Sequence, residues 1–489
     1  MKILYVNWVD YLDPEQRGGG VSLYQRNLMQ ALRGRNGVEA VFLASGTSYD
    51  PLRRAPRWEP MRHGPMDDRG RRFDLVNSGV LAPGHASFGQ SAQLRHPATE
   101  AVFEDFLRRT GPYDVVHFNN LEGLPVDVLA LRAALPGTRF VLSLHNYYPF
   151  CPQVNFWQDE ARNCTEDEAG RRCVTCLPQR WPAAQVRAAH GLGYRLKVAG
   201  VSPLGRVYRE SFRLAFGVAR RLARLRKGLR RRRTEAGAVA PGVQAEGAGF
   251  VARRAAMVAR INAHCDVVLC VSERVRQIAL REGVRADRAV TLPIGTVAAE
   301  GFAAAPARGP ILRADGTLAL AYLGYMRRDK GFYFLLEALE ALPDAVLGRL
   351  HLLVAARRGE AAVMARLAAL APRLAGFRHQ DGYGHADLDG LLADVGLGLV
   401  PVMWEDNLPQ VAIELHARRV PVLCSDLGGA RELGRSPAFV FRAGDAADFA
   451  ARIGAILSGA VGAEAYWRDA VVPETMGPHL DRLLALYRG

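Results

Sequence analysis

Two carboxylates eight residues apart, Asp406 and Glu414, offer the clearest chemistry in this sequence of 489 residues. They flank the turn Asn407-Leu408-Pro409, and proline favours the first turn of a helix, where its missing N–H costs nothing. The helix that follows would carry Glu414 about one turn in, with unpaired N–H groups at its start. Such an end attracts phosphate, and a carboxylate one turn further in can accept from ribose hydroxyls. The pattern therefore fits a sugar nucleotide, with an acidic loop before an ordinary core helix as the alternative.

A strand pattern follows this predicted helix. It runs from Val420 to Asp426, and the glycine pair Gly428-Gly429 and the acid Glu432 come directly after it. The whole segment resembles the carboxyl-terminal signature of retaining glycosyltransferases of family 4, which have the two-domain GT-B fold. The resemblance implies a nucleotide-sugar-dependent transferase.

The same resemblance assigns roles to the two acids. It implies that Glu414 holds the nucleotide ribose, and that Asp406 and the backbone N–H groups of Asn407 and Leu408 contact the donor sugar. The family usually has Glu at the first acidic position. Either the shorter Asp406 reaches the sugar differently, or the neighbouring Glu405 substitutes for it.

Length and patterning favour an α/β protein. A chain of 489 residues allows two or three domains, and 49% hydrophobic and 23% charged residues are ordinary for a globular protein. Strand-like and helical runs alternate, as in parallel sheets. The strand-like runs are Lys2–Trp8, Glu39–Ala44, Asp114–Phe118, Phe140–His145, Val267–Ser272, Ala289–Ile294, Leu318–Gly324, Leu350–Ala355, Gly396–Val402, Val420–Ser425 and Phe439–Phe441.

The resemblance implies two Rossmann-like domains that face a cleft. Residues 1–296 would form the acceptor domain, with a cysteine-bearing and a basic helical insertion at about 151–250. Residues 311–472 would form the nucleotide-sugar domain, and 473–489 a helix that crosses back to the first domain. Ligands of open parallel sheets bind outside the carboxyl ends of the strands.

A glycine-rich loop, Arg17-Gly18-Gly19-Gly20-Val21, follows the first predicted strand and precedes a helix pattern. Glycines let backbone N–H groups approach a diphosphate closely, although a plain tight turn is the more common reason for them. The resemblance places Gly19 and Gly20 opposite the donor phosphates.

A second loop, Leu323–Gly331, contains Lys330, one of only four lysines in an arginine-rich chain. A lysine where arginine is the rule favours a compact charge for a phosphate oxygen, with a solvated loop charge as the alternative. The family has an Arg directly after the glycine and a Lys five residues later, and both neutralise the leaving diphosphate. Lys330 matches, whereas Tyr325 replaces the Arg. We expect Arg327, or its neighbour Arg328, to reach the same phosphate.

His145 ends a strand pattern and would lie at the mouth of the site. The family often has a histidine here, close to the reacting sugar or the acceptor, which implies a catalytic role. The alternative is a histidine packed at a strand end, and His117 has a weaker claim of the same kind. Because no DxD-type carboxylate pair follows a strand, we expect no catalytic metal. Lys330, a nearby arginine and helix N-termini would then stabilise the leaving group.

Four of the seven cysteines, Cys151, Cys164, Cys173 and Cys176, fall in one short polar segment after His145. This spacing predicts a structural zinc site with four thiolates. Two disulfides are the alternative in an oxidising compartment, and four unrelated thiols are the other.

Residues 206–233 carry twelve Arg or Lys and one acid, Glu210, so that 12 − 1 = +11 of the formal +15 lies here. Apolar residues recur at helical spacing within the segment: Leu214, Val218, Leu222, Leu225 and Leu229. A basic amphipathic helix suits an anionic membrane surface. A solvated helix or a disordered insertion is the alternative. Nucleic acid is disfavoured, because neither interleaved aromatic residues nor a known nucleic-acid-binding fold supports it.

The sequence therefore predicts a retaining glycosyltransferase that uses a nucleotide-diphosphate sugar and a saccharide or lipid-linked acceptor. The resemblance implies a role in bacterial surface polysaccharide or glycolipid synthesis. The chain lacks a secretory-signal pattern and a run of eighteen apolar residues, so we expect a cytoplasmic protein, peripheral on the inner face of the membrane if the basic segment binds lipid. A GT-B-type nucleotide-sugar epimerase and a non-catalytic sugar- or membrane-binding relative are the alternatives.

Overall fold

The computed structural model of the protein describes residues 1–15, 17–176, 182–230, 243–306 and 308–489. Packing divides the chain into two units. Unit 1 contains Met1–Val154, Glu166–Val268 and Glu282–Arg288, and unit 2 contains Asn155–Thr165, Leu269–Arg281 and Ala289–Gly489. The predicted domain bounds at 1–296, 311–472 and 473–489 stay predictions.

The first sheet has the strand order β10-β9-β6-β5-β1-β2-β4-β3. Its core strands β1, β2, β5 and β6 pair in parallel and are almost wholly buried, whereas β3 runs antiparallel to β4 at the edge. The strands of the first half are β1 (Lys2–Asn7), β2 (Glu39–Ser45), β3 (Arg57–Pro60), β4 (Arg72–Val76), β5 (Val115–Phe118), β6 (Arg139–Leu144), the hairpin β7 (Trp157–Gln158) and β8 (Arg162–Asn163), β9 (Val267–Cys270) and β10 (Ala289–Thr291).

The second sheet lies in unit 2 and is parallel throughout, with the order β13-β12-β11-β14-β15-β16. Its strands are β11 (Leu318–Tyr325), β12 (Leu350–Arg357), β13 (Gly376–Gln380), β14 (Leu397–Val400), β15 (Val422–Ser425) and β16 (Val440–Phe441). The predicted α/β class with parallel sheets is confirmed.

Helices connect these strands, as parallel pairing requires. They are α1 (Gly19–Leu32), α2 (Pro97–Thr110), α3 (Arg171–Thr175), α4 (Ala183–Val198), α5 (Arg206–Arg230), α6 (Val243–His264), α7 (Glu273–Arg281), α8 (Phe332–Glu340), α9 (Asp344–Leu347), α10 (Ala361–Leu370), α11 (Leu388–Leu391), α12 (Gln410–Ala417), α13 (Arg431–Gly434), α14 (Ala446–Leu457), α15 (Ala463–Trp467) and α16 (Met476–Arg488). In the part of the chain that the structure describes, no helix is both long enough and apolar enough to span a bilayer.

The predicted strand runs are confirmed to within a few residues at each end. The two-residue strands β7 and β8 were not predicted. Strands β3, β4 and β13 were not predicted either, because their sequences RWEP, RFDLV and GFRHQ interrupt apolar residues with charged ones. Short runs of this kind lack a periodic signal, and tertiary pairing decides their conformation.

Candidate active site

Glu414 is carried by α12, which begins at Gln410 directly after its N-cap residue Pro409. The residue is only 3% exposed, and its Oε1 lies 3.1 Å from Nδ1 of His385. Its other oxygen, Oε2, is buried and has no hydrogen-bond partner among the described residues. A buried carboxylate oxygen without a donor is costly, so this atom is poised to accept a hydrogen bond from a ligand.

His385 opens a short 3-10 helix, His385–Asp387, in the loop after β13. The hydrogen bond to Glu414 raises the pKa of His385, while partial burial and the charge of Arg418 oppose this shift. Glu414 in turn adds to burial in raising the pKa of Tyr383. Glu414 therefore lies among His385, Tyr383 and Arg418, all within unit 2.

Asp406 follows β14 and pairs with the lysine that sequence analysis selected. Nζ of Lys330 lies 2.6 Å from Oδ2 of Asp406 and 5.1 Å from the centre of the Trp404 ring. The Asp406 side chain is 10% exposed and that of Lys330 is 30% exposed. The structure thus brings together a cation and a carboxylate that belong to separate predicted motifs.

Glu405 has a different environment from Asp406. Its carboxylate accepts two hydrogen bonds from the guanidinium of Arg274 and one, at 3.0 Å, from the backbone N–H of Gly428. With both oxygens engaged in this way, Glu405 holds the loop in place, and Asp406 is the acid that contacts Lys330.

Two glycines let the loops of this site approach each other closely. Gly428 has φ +71°, and a Cβ there would lie 2.1 Å from the carbonyl oxygen of Asp406. Gly331, directly after Lys330, has φ +74°, and a Cβ there would lie 1.6 Å from the carbonyl oxygen of Pro401. Only glycine fits such contacts, so these residues fix the position of the Lys330–Asp406 pair.

Arg327 forms two hydrogen bonds to Asp329, each 2.9 Å long, and its side chain is 62% exposed. Tyr325, which replaces the family's arginine, is 59% exposed. Arg328 stacks over the ring of Tyr333, with 4.3 Å from the guanidinium carbon to the ring centre. The donor-binding role of Arg327 stays a prediction.

In unit 1, Gly19 and Gly20 form the exposed first residues of α1, and Gly19 has φ +52°. The preceding loop is fixed by charge: Arg17 binds both carboxylate oxygens of Asp13, and Glu15 accepts from Nζ of Lys197 at 2.9 Å. The exposed backbone at this helix N-terminus is chemically suited to an anion. Its contact with donor phosphates stays a prediction.

His145 directly follows β6, and its ring centre lies 5.2 Å from that of Tyr24 in α1. His117 is fully buried in β5, with Nε2 2.7 Å from Oγ of Ser143. The geometry of His117 is that of a packed structural histidine. For His145 the catalytic role stays a prediction.

The zinc site predicted at Cys151, Cys164, Cys173 and Cys176 stays a prediction. Among the described residues, which include all four cysteines, no group of three or more His, Cys, Asp or Glu side chains is arranged to hold a metal ion. Cys173 and Cys176 pack with Phe88 and Phe250 in an apolar cluster, and burial raises the pKa of Cys173 to about 12. A buried neutral thiol packs as a small hydrophobic group, which explains the arrangement.

The predicted basic helix is α5, and residues 231–233 of the predicted segment lie outside the described residues. Tyr208 is 5% exposed and lies beside Gly193 of α4. By contrast, Val207, Leu214 and Val218 are 64%, 70% and 55% exposed. At about 100° per residue these three side chains share one stripe of the helix, and Tyr208 faces a different direction.

Sequence analysis did not identify His385, Arg274 or the structural role of Glu432. The Glu432 carboxylate accepts hydrogen bonds from the backbone N–H groups of Glu273 and Arg274, at 2.9 and 2.7 Å. Glu432 was visible in the signature and caps the start of α7, where a carboxylate is favourable. His385 and Arg274 gave no signal, because each is linked to its partner only through tertiary contacts.

The parallel sheets are those of the GT-B type, and the comparisons with known proteins support a glycosyltransferase. Residues 317–459 match the model of the family described as "Glycosyl transferases group 1". This identification confirms the resemblance inferred from the motif around Asp406 and Glu414. Comparison of the sequence with curated proteins gives no match.

Solved structures with a similar fold are glycosyltransferases of low sequence identity. The UDP-forming α,α-trehalose-phosphate synthase from Burkholderia xenovorans, in complex with glucose-6-phosphate, has a TM-score of 0.55 and 13% identity, with 100% of each chain covered. Anabaena HepE in complex with UDP has a TM-score of 0.51 and 14% identity, with 99% of each chain covered. Sucrose-phosphate synthase from Thermosynechococcus elongatus has a TM-score of 0.50 and 16% identity, covering 100% of this chain and 95% of that one. At these identities the likeness concerns the fold.

Proposed function

We propose that the protein transfers a sugar from a nucleotide-diphosphate sugar to a saccharide or lipid-linked acceptor, with retention of the anomeric configuration. The observation that carries this proposal is the hydrogen bonding of the two carboxylate oxygens of Glu414. One of its oxygens is held by His385, while the other is buried and has no donor among the described residues. A ribose hydroxyl would supply the missing hydrogen bond.

The contacts of Lys330 are a second observation that supports the same proposal. Its ammonium group is fixed by Asp406 and by the ring of Trp404, and it keeps partial access to solvent. In the proposed reaction, the bond between the anomeric carbon and the diphosphate oxygen breaks, and the acceptor oxygen bonds to the same face of the sugar. The proton of the acceptor hydroxyl passes to the departing diphosphate. Lys330 and the N-terminus of α12 would stabilise the charge that develops there, so no catalytic metal is assigned.

The acceptor and the cellular location belong to the proposal as well. The exposed stripe of Val207, Leu214 and Val218 on the arginine-rich helix α5 favours peripheral binding to an anionic membrane, on the cytoplasmic face. A lipid-linked acceptor would be reached from that surface, which fits a role in surface polysaccharide or glycolipid synthesis.

A thermal-shift panel of nucleotide sugars tests the donor. Because the neighbour from Anabaena contains UDP, UDP-glucose is the first compound to test, followed by GDP-mannose, ADP-glucose and dTDP-glucose. A ligand at one hundred times its Kd stabilises the folded state by about 2.7 kcal/mol. We expect one nucleotide class to raise the melting temperature of the wild type and to lose this effect in Glu414→Ala.

Product analysis separates the proposal from its alternatives. A transferase releases nucleoside diphosphate and forms a glycoside only with an acceptor, whereas an epimerase converts the nucleotide sugar alone. A non-catalytic relative would bind without turnover. Absence of binding to every member of the panel would contradict the proposed function itself.

A further inference from the structure

We infer that His385 is a positioning residue for Glu414: its imidazole holds one carboxylate oxygen, so that the other stays directed at a ribose hydroxyl of the bound nucleotide. This inference rests on the proposed function, because that function places the ribose at Glu414. It adds a residue that lies outside both motifs of the site.

The geometry of the pair is specific. Nδ1 of His385 lies 3.1 Å from Oε1 of Glu414, whereas Oε2 is buried and has no hydrogen-bond partner among the described residues. A carboxylate rotates readily about its last side-chain torsion, which exchanges the two oxygens. A donor fixed to Oε1 removes this freedom before the nucleotide binds, and such preorganisation increases affinity.

The loop that carries His385 is itself fixed. Asp387 accepts a hydrogen bond of 2.7 Å from the backbone N–H of Gly384, which closes the turn around His385. The His385 side chain is 58% exposed, although its Nδ1 contacts a carboxylate side chain that is only 4% exposed. The ring therefore lies at the boundary between the buried Glu414 and the solvent from which a nucleotide would enter.

The surrounding charges set the expected effect of pH. Arg418, at the end of α12, opposes protonation of His385 and is itself paired with Asp389 at 2.6 Å. Tyr383 is near Glu414, and its pKa is raised, so it stays neutral at ordinary pH. Other titratable groups are carried by the elements packed against α12 or next to His385: Glu300, Asp387, Cys424, Arg431 and Glu432.

The direction of the pKa shift of His385 determines whether its contact with Glu414 weakens or strengthens as the pH rises. The pKa of His385 is raised above 6.5 in the folded protein. The charged contact is therefore complete at low pH and weakens as the pH rises through the raised pKa. A neutral imidazole with a proton on Nδ1 still donates to Oε1, but more weakly. We thus expect nucleotide-sugar affinity to fall by about threefold to tenfold between about pH 6 and about pH 9.

The test measures binding of the most stabilising nucleotide sugar of the panel by titration calorimetry at both ends of this pH range. A nucleotide sugar is the right probe, because its diphosphate carries no titrating group there. His385→Leu should weaken binding roughly tenfold at pH 6, the loss expected for a hydrogen bond to a charged group, and should make affinity independent of pH. His385→Asn places a neutral amide donor near the position of Nδ1. It should restore most of the affinity without the pH dependence.

His379→Asn is the matched control, because His379 lies on the neighbouring strand β13 and contacts the carbonyl oxygen of Ala356 at 2.9 Å. It should keep the wild-type pH profile. Equal affinity and equal pH dependence in the wild type and His385→Leu would overturn the inference while leaving the proposed function intact. A wild type that binds no nucleotide sugar at either pH would instead remove the proposed function.

Discussion

Lys330→Met should separate the structural and the chemical roles of the Lys330–Asp406 pair. The substitution keeps most of the side-chain volume and removes the charge that lies 2.6 Å from Asp406. Asp406 then retains a carboxylate that is mostly buried and lacks its cation. In the proposed reaction, the departing diphosphate loses a fixed positive charge at the same time.

The expected magnitudes follow from the exposure of the two partners. Removal of one partner from a fully buried pair costs about 3–5 kcal/mol, and an exposed pair contributes about 0–1 kcal/mol. The side chain of Asp406 is 10% exposed and that of Lys330 is 30% exposed, so we expect a stability loss of about 2 kcal/mol. Loss of one preorganised group that stabilises transition-state charge lowers kcat by about 10²–10³. We expect a decrease in kcat of this size for Lys330→Met.

The assay follows nucleoside diphosphate release at saturating nucleotide sugar, together with denaturant unfolding. Lys2→Met is a matched control, because the Lys2 side chain is 27% exposed but its partner Glu39 is 64% exposed. It should cost less than about 1 kcal/mol and leave turnover unchanged. Turnover of folded Lys330→Met within about threefold of the wild type would refute the assignment of Lys330 to the leaving group.

Three further predictions address the donor, the cysteines and the membrane. Glu414→Ala should weaken nucleotide-sugar binding by ~1–3 kcal/mol in calorimetry, whereas Glu432→Gln, whose carboxylate accepts from two backbone amides, should lower stability and spare affinity. Equal affinity losses would contradict the role of Glu414. Cys173, with its pKa raised to about 12 by burial, should react slowly with iodoacetamide at about pH 8. A rate that rises when a chelator is added, together with about one zinc per chain, would support the four-thiolate site, and an unchanged rate with no bound zinc would contradict it. Leu214→Ser with Val218→Ser should reduce sedimentation with anionic vesicles, and Leu52→Ser, at an equally exposed leucine elsewhere, should not. Identical sedimentation of all variants, or equal sedimentation with neutral and anionic vesicles, would indicate that α5 is a solvated helix.

Local patterns in the sequence determined much of the fold and part of the site. Apolar runs of strand length alternating with helical periodicity predicted most parallel strands of both sheets, and Pro409 marked the start of α12 to within one residue. These features depend on neighbouring residues, so they can be read without knowing what lies across the fold.

Tertiary structure decided which side chains meet. Lys330 and Asp406 are 76 residues apart in the chain, and Arg274 and Glu405 are 131 apart. Nothing in their spacing pairs Lys330 with Asp406, assigns Arg274 to Glu405 or brings His385 to Glu414. The four cysteines cluster along the chain, but their spacing did not indicate that Cys173 and Cys176 pack with Phe88 and Phe250. Sequence records residue type and local periodicity, whereas partners across loops follow from the close packing of elements that the chain brings together only when it folds.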